Sequence, residues 1–277
     1  MNNKKFTDFL PASESYFDNR LGLTVSYRFV QINKRIPILF LHGFNGSSKS
    51  WAYQFKYFNN KRSTIAIDFP GFGKSTPRNM NMRTIASLFI RLLKSLNINS
   101  FHIVGHSMGG MLAQVIAINY GKLVDKLILS CTHNGFAVSK DKPLSEEYIK
   151  RIEQRKKLTN NEFGKLRVSK MLANSNEISE EKFNFLASIS AEITEGSIVT
   201  GGMAMQRLDT TKDLKNFSKK CLIITAAQDI IVSNEQTKNL SNSIRKSITI
   251  KLPNVGHAPY CEDPESFNKT VDYFIQN

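Results

Sequence analysis

Residues 100–110, SFHIVGHSMGG, decide how the rest of the chain is read. Residues 101–104 suit a short buried strand, and the turn Gly105-His106-Ser107-Met108-Gly109 runs directly into an apolar helical stretch. G-x-S-x-G between a strand and a helix is a nucleophile elbow. A serine on so tight a turn is held in a strained backbone conformation. Gly105 and Gly109 leave the space this turn needs, and Gly110 and Ala113 let the helix approach the sheet. The hydroxyl of Ser107 then stands clear of the backbone, at a helix N-terminus whose dipole favours developing negative charge. The pentapeptide alone recurs by chance, so partners elsewhere in the chain must supply the specificity.

Working outward, the continuous apolar run at 36–41 (IPILFL) suits a strand buried on both faces of a parallel sheet, and further strands are expected at 65–68, 127–131 (LILSC) and 221–225 (CLIIT). Residues 23–32 partly alternate, as a half-exposed strand does, and 247–252 form the last strand. Helices are expected at 50–58, at 84–96, from the elbow to about Tyr120, at 234–243 and from Asp263-Pro264 to Ile275. Within 84–96, Ile85, Leu88, Phe89, Leu92, Leu93 and Leu96 form one apolar face. The alternation of strand and helix predicts an α/β fold, a mostly parallel central sheet with helices on both faces. From 138 to 208 the rhythm breaks into helical segments only. Thr159-x-x-Glu162 closes a capping box there, Ser179 with Glu180 and Glu181 starts another helix, and Gly201-Gly202 suits a hinge. The expected organisation is a core of residues 1–137 and 209–277 with an inserted helical cap, or lid, at 138–208.

The 277 residues, 41% hydrophobic and 22% charged, have the composition of a soluble globular protein. No apolar run approaches the ~20 residues that span a bilayer, and the basic start lacks the apolar region of a signal peptide. Cys131, Cys221 and Cys261 have no metal spacing and read as free thiols of a reducing, cytoplasmic compartment. The net charge of +15 admits a landing surface for an acidic partner or a compositional bias toward Lys and Asn. Residues 1–62 carry ten Lys/Arg against three Asp/Glu and 211–251 eight against three, but 138–205 eleven against ten. A spread so even over the body, and so balanced in the cap, favours the compositional reading. No nucleic-acid motif is present.

A serine hydroxyl needs a base within hydrogen-bond reach and a carboxylate to orient that base. His257, in Gly256-His257-Ala258, follows the last expected strand, and Asp229 follows the one before it. Catalytic groups of open parallel sheets gather at such strand ends, and the order Ser107, Asp229, His257 is the one that accompanies this elbow. For the oxyanion, the N–H of Met108 is one expected donor and that of Phe44 the other, with Gly43 letting that backbone approach. Of the other histidines, His106 is expected to face away from the base, His102 lies on the strand, His42 supports its own loop and His133 suits the cleft wall. No pair has metal-ligand spacing, so neither metal nor cofactor is expected. Phe136, Phe163, Met203 and Met205 are the expected liners of a substrate pocket.

With HGF at 42–44, DFPGFGKS at 68–75, GHSMGG at 105–110, Asp229 and GHAPYCEDPE at 256–265, the chain resembles the α/β-hydrolase superfamily. The resemblance covers both halves of the sheet and omits the cap. Relatives that remove halide or open epoxides carry aspartate at the elbow, so Ser107 argues against both activities. Prolyl aminopeptidases usually carry Trp where Met108 stands. RLDTTKDL at 207–214 looks like the enol-lactonase and small-ester branch, although the residues after His257 depart from the lactonase signature. The resemblance therefore implies a carboxylic ester or lactone as small-molecule substrate. Carrier-protein methyl esterases are similar in outline and would imply an acidic carrier protein as partner, but they grip it partly through a basic cap. A C–C bond hydrolase of ring-cleavage products, an acyltransferase and a ligand-binding protein without activity are the alternatives.

Overall fold

The apolar runs form the strands β1 (Glu14–Asp18), β2 (Leu23–Val30), β3 (Ile38–Leu41), β4 (Thr64–Ile67), β5 (Phe101–His106), β6 (Val124–Ser130), β7 (Cys221–Ala226) and β8 (Ser247–Leu252). This computed structural model describes residues 5–32, 35–173 and 178–277. Residues 1–4 of the basic start, 33–34, and 174–177 within the 138–208 insertion lie outside the described residues.

All eight strands join one sheet in the order β1-β2-β4-β3-β5-β6-β7-β8. β2 runs antiparallel to β1 and β4, and every other pair is parallel. The chain passes from β3 outward to β4 and returns on the other side of β3 as β5. That reversal opens a crevice at the carboxyl ends of β3 and β5, where open α/β sheets bind ligands.

Side-chain alternation explains why the central strands read as unbroken apolar runs. Leu39, Leu41, Ile103, Leu127, Leu129 and Ile223 enter one core, and Ile38, Phe40, Val104, Ile128, Leu222 and Ile224 enter the other. The first core is closed by α2 (Met82–Ser95) and α3 (Met108–Tyr120). The second is closed by α1 (Ala52–Phe58) with Trp51 before it, and by the helix Pro264–Gln276.

Among the described residues, the α-helices α4 (Glu146–Lys157), α5 (Asn160–Ser169), α6 (Glu180–Ser190) and α7 (Glu195–Gln206) fall between β6 and β7. The remaining helices are α8 (Asn234–Asn242), α9 (Pro259–Glu262) and α10 (Pro264–Gln276). Thr159 and Glu162 cap α5 reciprocally, and Asp263 accepts the Ser266 N–H at the start of α10.

Two features depart from the sequence reading. β1 was not expected, because ESYFD is an edge strand that buries only its last side chain well and has no apolar run. Gly201 and Gly202 are not a hinge: both lie inside α7 and are close-packing positions. A Cβ on Gly201 would stand 2.5 Å from the Phe44 ring, and one on Gly202 3.0 Å from Tyr148. Cys131, Cys221 and Cys261 are buried and unpaired with one another. No helix among the described residues is long and apolar enough to cross a membrane.

Candidate active site

Ser107 is the single residue between β5 and α3, with φ 52° and ψ −118°. A side chain rarely adopts this conformation, and the surroundings hold it there. The Ser107 N–H donates to the Ser130 carbonyl at 2.9 Å, and the Thr132 hydroxyl donates to the Ser107 carbonyl at 2.7 Å. A Cβ on Gly105 would strike the Gly109 carbonyl, and one on Gly109 would strike the carbonyl of Leu41 at the end of β3. Met108 is the first residue of α3, so its N–H has no acceptor one turn earlier within the helix.

The loop after β3 comes against the same turn. A Cβ on Gly43 would lie 2.6 Å from His106 Nδ1 and 3.3 Å from the Ser107 Cβ, so Phe44 leaves alongside the serine. His42 fixes this loop as expected: its Nδ1 donates to the Gly43 carbonyl at 2.8 Å and its Nε2 accepts the Phe69 N–H at 3.1 Å. Burial keeps this imidazole neutral, pushing its pKa below the usual histidine range.

Asp229 and His257 converge from the ends of β7 and β8. The Nδ1 of His257 lies 2.9 and 3.1 Å from the two carboxylate oxygens of Asp229. Facing a carboxylate, Nδ1 carries a hydrogen that it donates to Asp229. Asp229 also accepts the N–H groups of Ile231 and Val232, at 2.8 and 3.1 Å. Burial alone would raise its pKa, but the hydrogen bond and charge of His257 and these two amides hold it below the usual carboxylate range.

Two supporting residues escaped the sequence reading. Glu262, in α9, accepts the N–H of Gly256 and of Ala258, each at 2.9 Å, and so grips the chain on both sides of His257. It also accepts the Ala173 N–H at 2.9 Å. Burial raises the Glu262 pKa despite these three amides. His106 does not face away from His257. Its ring lies 4.9 Å from that of His257, and its Nε2 donates to the His257 carbonyl at 2.6 Å. Burial and the nearby His257 push its pKa down to about 3, so it is a neutral prop. Position in the elbow was the available signal for His106. For Glu262 it was the position five residues after His257.

The sulfur of Cys131, the Asp229 carboxylate and the His257 imidazole lie within 4.8 Å of one another. Burial and Asp229 push this thiol's pKa well above its usual value, so it stays protonated, which disfavours metal binding.

A cavity of about 380 Å³ opens over the site, lined on the core side by Ser107, His257, Phe44 and His133. Of the expected liners, Met205 and Phe136 border it. Phe163 and Met203 do not: Phe163 is fully buried beneath the guanidiniums of Arg155 and Arg167, and the Met203 sulfur meets the Gln206 amide. Apolar side chains of a helical layer serve as its core as readily as they line a pocket, and composition does not separate the two.

Known proteins carry the same architecture. A thermophilic esterase from Thermogutta terrifontis, solved with malate bound, superposes with a TM-score of 0.82 at 22% identity, over 96% of this chain and 98% of that one. The enol-lactonase from Burkholderia xenovorans LB400 gives 0.83 at 16% identity, over 95% and 100%. In sequence, the uncharacterized hydrolase YugF of Bacillus subtilis (strain 168) is 26% identical over 266 residues, 92% of this chain and 95% of that protein. Residues 36–264 match the family described as the alpha/beta hydrolase fold. With its sheet order, its elbow and this match over most of its length, the chain belongs to the α/β-hydrolase fold family.

Proposed function

We propose that the protein is a serine hydrolase that cleaves a carboxylic ester or lactone through an acyl-enzyme on Ser107. The observation that carries this reading is the pairing of His257 Nδ1 with Asp229 at 2.9 Å while His257 and Ser107 line one cavity. Asp229 fixes the tautomer, so Nε2 is the atom that takes the Ser107 proton as the oxygen attacks the carbonyl. The N–H groups of Met108 and Phe44 hold the oxyanion. His257 then protonates the leaving alcohol and activates water to release the acid. Residues 138–208 act as a cap that supplies the specificity walls. Three unpaired buried thiols support a reducing, cytoplasmic setting.

A fluorophosphonate probe tests the reading: it labels the wild type at Ser107 and leaves Ser107→Ala unlabelled. On a panel of esters and lactones of graded acyl length, Ser107→Ala loses about 10³-fold or more in kcat. Full activity in that variant, or a wild type that is neither labelled nor active, overturns the reading.

A further inference from the structure

The wall of the cavity formed by α4 and α5 is cationic. Arg151, Arg167 and Lys170 line it, and Glu147 is the one carboxylate among its described lining residues. Arg167 is 7% exposed and the Arg151 side chain 14%, whereas the Glu147 side chain is 73% exposed. The single N–H that Arg151 gives Glu147, at 3.3 Å, therefore meets a counterion largely dissolved in water.

Both guanidiniums are fixed by packing more than by polar partners. Arg151 lies over the Phe44 ring, 4.8 Å from its centroid, and Arg167 lies 5.9 Å from that of Phe163. Arg167 gives one N–H to Gln154, a neutral amide, at 3.3 Å. The Nε of each guanidinium is buried with no hydrogen-bond partner among the described residues. Burial, and for Arg167 the neighbouring Arg151, lowers both pKa values, that of Arg167 to about 10, so both remain charged at neutral pH. Two buried like charges, each with an unpaired Nε donor, are costly to hold, and an anion near both guanidiniums lowers that cost.

We propose that Arg151 and Arg167 form an anion subsite and that the substrate is a small ester or lactone carrying a carboxylate remote from the bond that is cleaved. This rests on the serine-hydrolase reading above and names the substrate class for it. A carboxylate suits the planar fork of a guanidinium, and a cavity of about 380 Å³ suits a short chain between the two ends. Phe44 joins the two functions, because its amide is the proposed oxyanion donor and its ring carries Arg151.

The test compares kcat/KM for monomethyl succinate, glutarate and adipate with that for methyl esters of uncharged acyl chains of equal length, and with phosphonate-tailed analogues. The wild type favours the best carboxylate-tailed ester by about 10- to 100-fold over its uncharged match, and high salt compresses the ratio. Arg151→Gln and Arg167→Gln each cut the ratio about tenfold or more, and Arg→Lys at either site retains part of it. A purely structural role lowers both rates together and leaves the ratio intact. Hydrolysis of uncharged esters with no preference for either anion overturns the subsite and leaves the hydrolase reading standing. A preference for phosphonate over carboxylate overturns the carboxylate assignment. If no ester is cleaved, calorimetry with free glutarate decides the subsite separately: binding that Arg151→Gln abolishes supports it, and no binding by the wild type at about 10 mM overturns it.

Discussion

The backbone N–H of His257 donates to the carbonyl of Met171 at 2.9 Å. Met171 lies just past α5, so the segment between β6 and β7 bonds directly to the residue proposed as the base. Two positions on, the Ala173 N–H donates to Glu262, which also receives the amides flanking His257. The His257 backbone is therefore held both from α9 and from the segment between β6 and β7.

Glu262→Gln tests that seat. One carboxylate oxygen of Glu262 accepts two amides and the other accepts a third, so a carboxamide places its NH₂ against at least one N–H. The expected cost is about 1–3 kcal/mol in urea unfolding. Activity falls about tenfold as the imidazole loses alignment. A stability loss with kcat unchanged shows that Glu262 holds the loop without positioning the base.

Asp229→Asn leaves the shape of the site and reverses the hydrogen-bond preference of His257. The expected drop in kcat is about 10²- to 10⁴-fold. The folded pKa of Asp229 lies below the ordinary carboxylate value, so its stabilisation is complete above the unfolded pKa of about 3.9 and is lost as pH falls through the folded value. The Tm difference between wild type and Asp229→Asn therefore narrows as pH is lowered from about 5 toward 3. A difference that does not change over that window contradicts the assignment.

Gly109→Ala sets a methyl group against the Leu41 carbonyl oxygen, and neither backbone can turn aside. The expected loss is about 1–3 kcal/mol or more, with fluorophosphonate labelling reduced in the folded fraction. An alanine accepted at no cost in a denaturant titration shows that α3 and β3 are not in contact there.

Gly201→Ala separates close packing from a hinge. Alanine improves helix propensity by up to ~1 kcal/mol, but its Cβ meets the Phe44 ring at 2.5 Å. Displacing that ring lowers kcat/KM by about tenfold. Gly196→Ala, whose Cβ meets no atom nearer than 3.6 Å, is the control and changes neither activity nor fold adversely. Equal behaviour of the two variants removes the packing role of Gly201.

The sheet was legible because its central strands are apolar on both faces, and runs such as IPILFL and CLIIT leave little choice of structure. The elbow was legible because glycines 105 and 109 have a steric reason that spacing alone reveals. Asp229 and His257 could be singled out because each follows a strand that ends at the same sheet edge. β1 carries no comparable signal, because an edge strand with one well-buried side chain looks like a loop. The role of His106 and that of Glu262 depend on which carbonyl or amide comes within 3 Å after folding, and no periodicity encodes that. The helical segment between β6 and β7 kept its cavity-facing side hidden for a related reason. Arg151 and Arg167 look like two members of a balanced set of charges until α4 and α5 turn them inward.

Because β3 and β5 are neighbours and Gly109 abuts Leu41, the Ser107 end of the pocket has almost no freedom to vary. Novelty in what the molecule accepts has to be written into the helical segment between β6 and β7, which gives Tyr148, Arg151, Arg167 and Met205 to the cavity wall. Descendants of this chain can thus exchange one diet for another by altering a few helical positions, while the machinery beneath passes on unchanged.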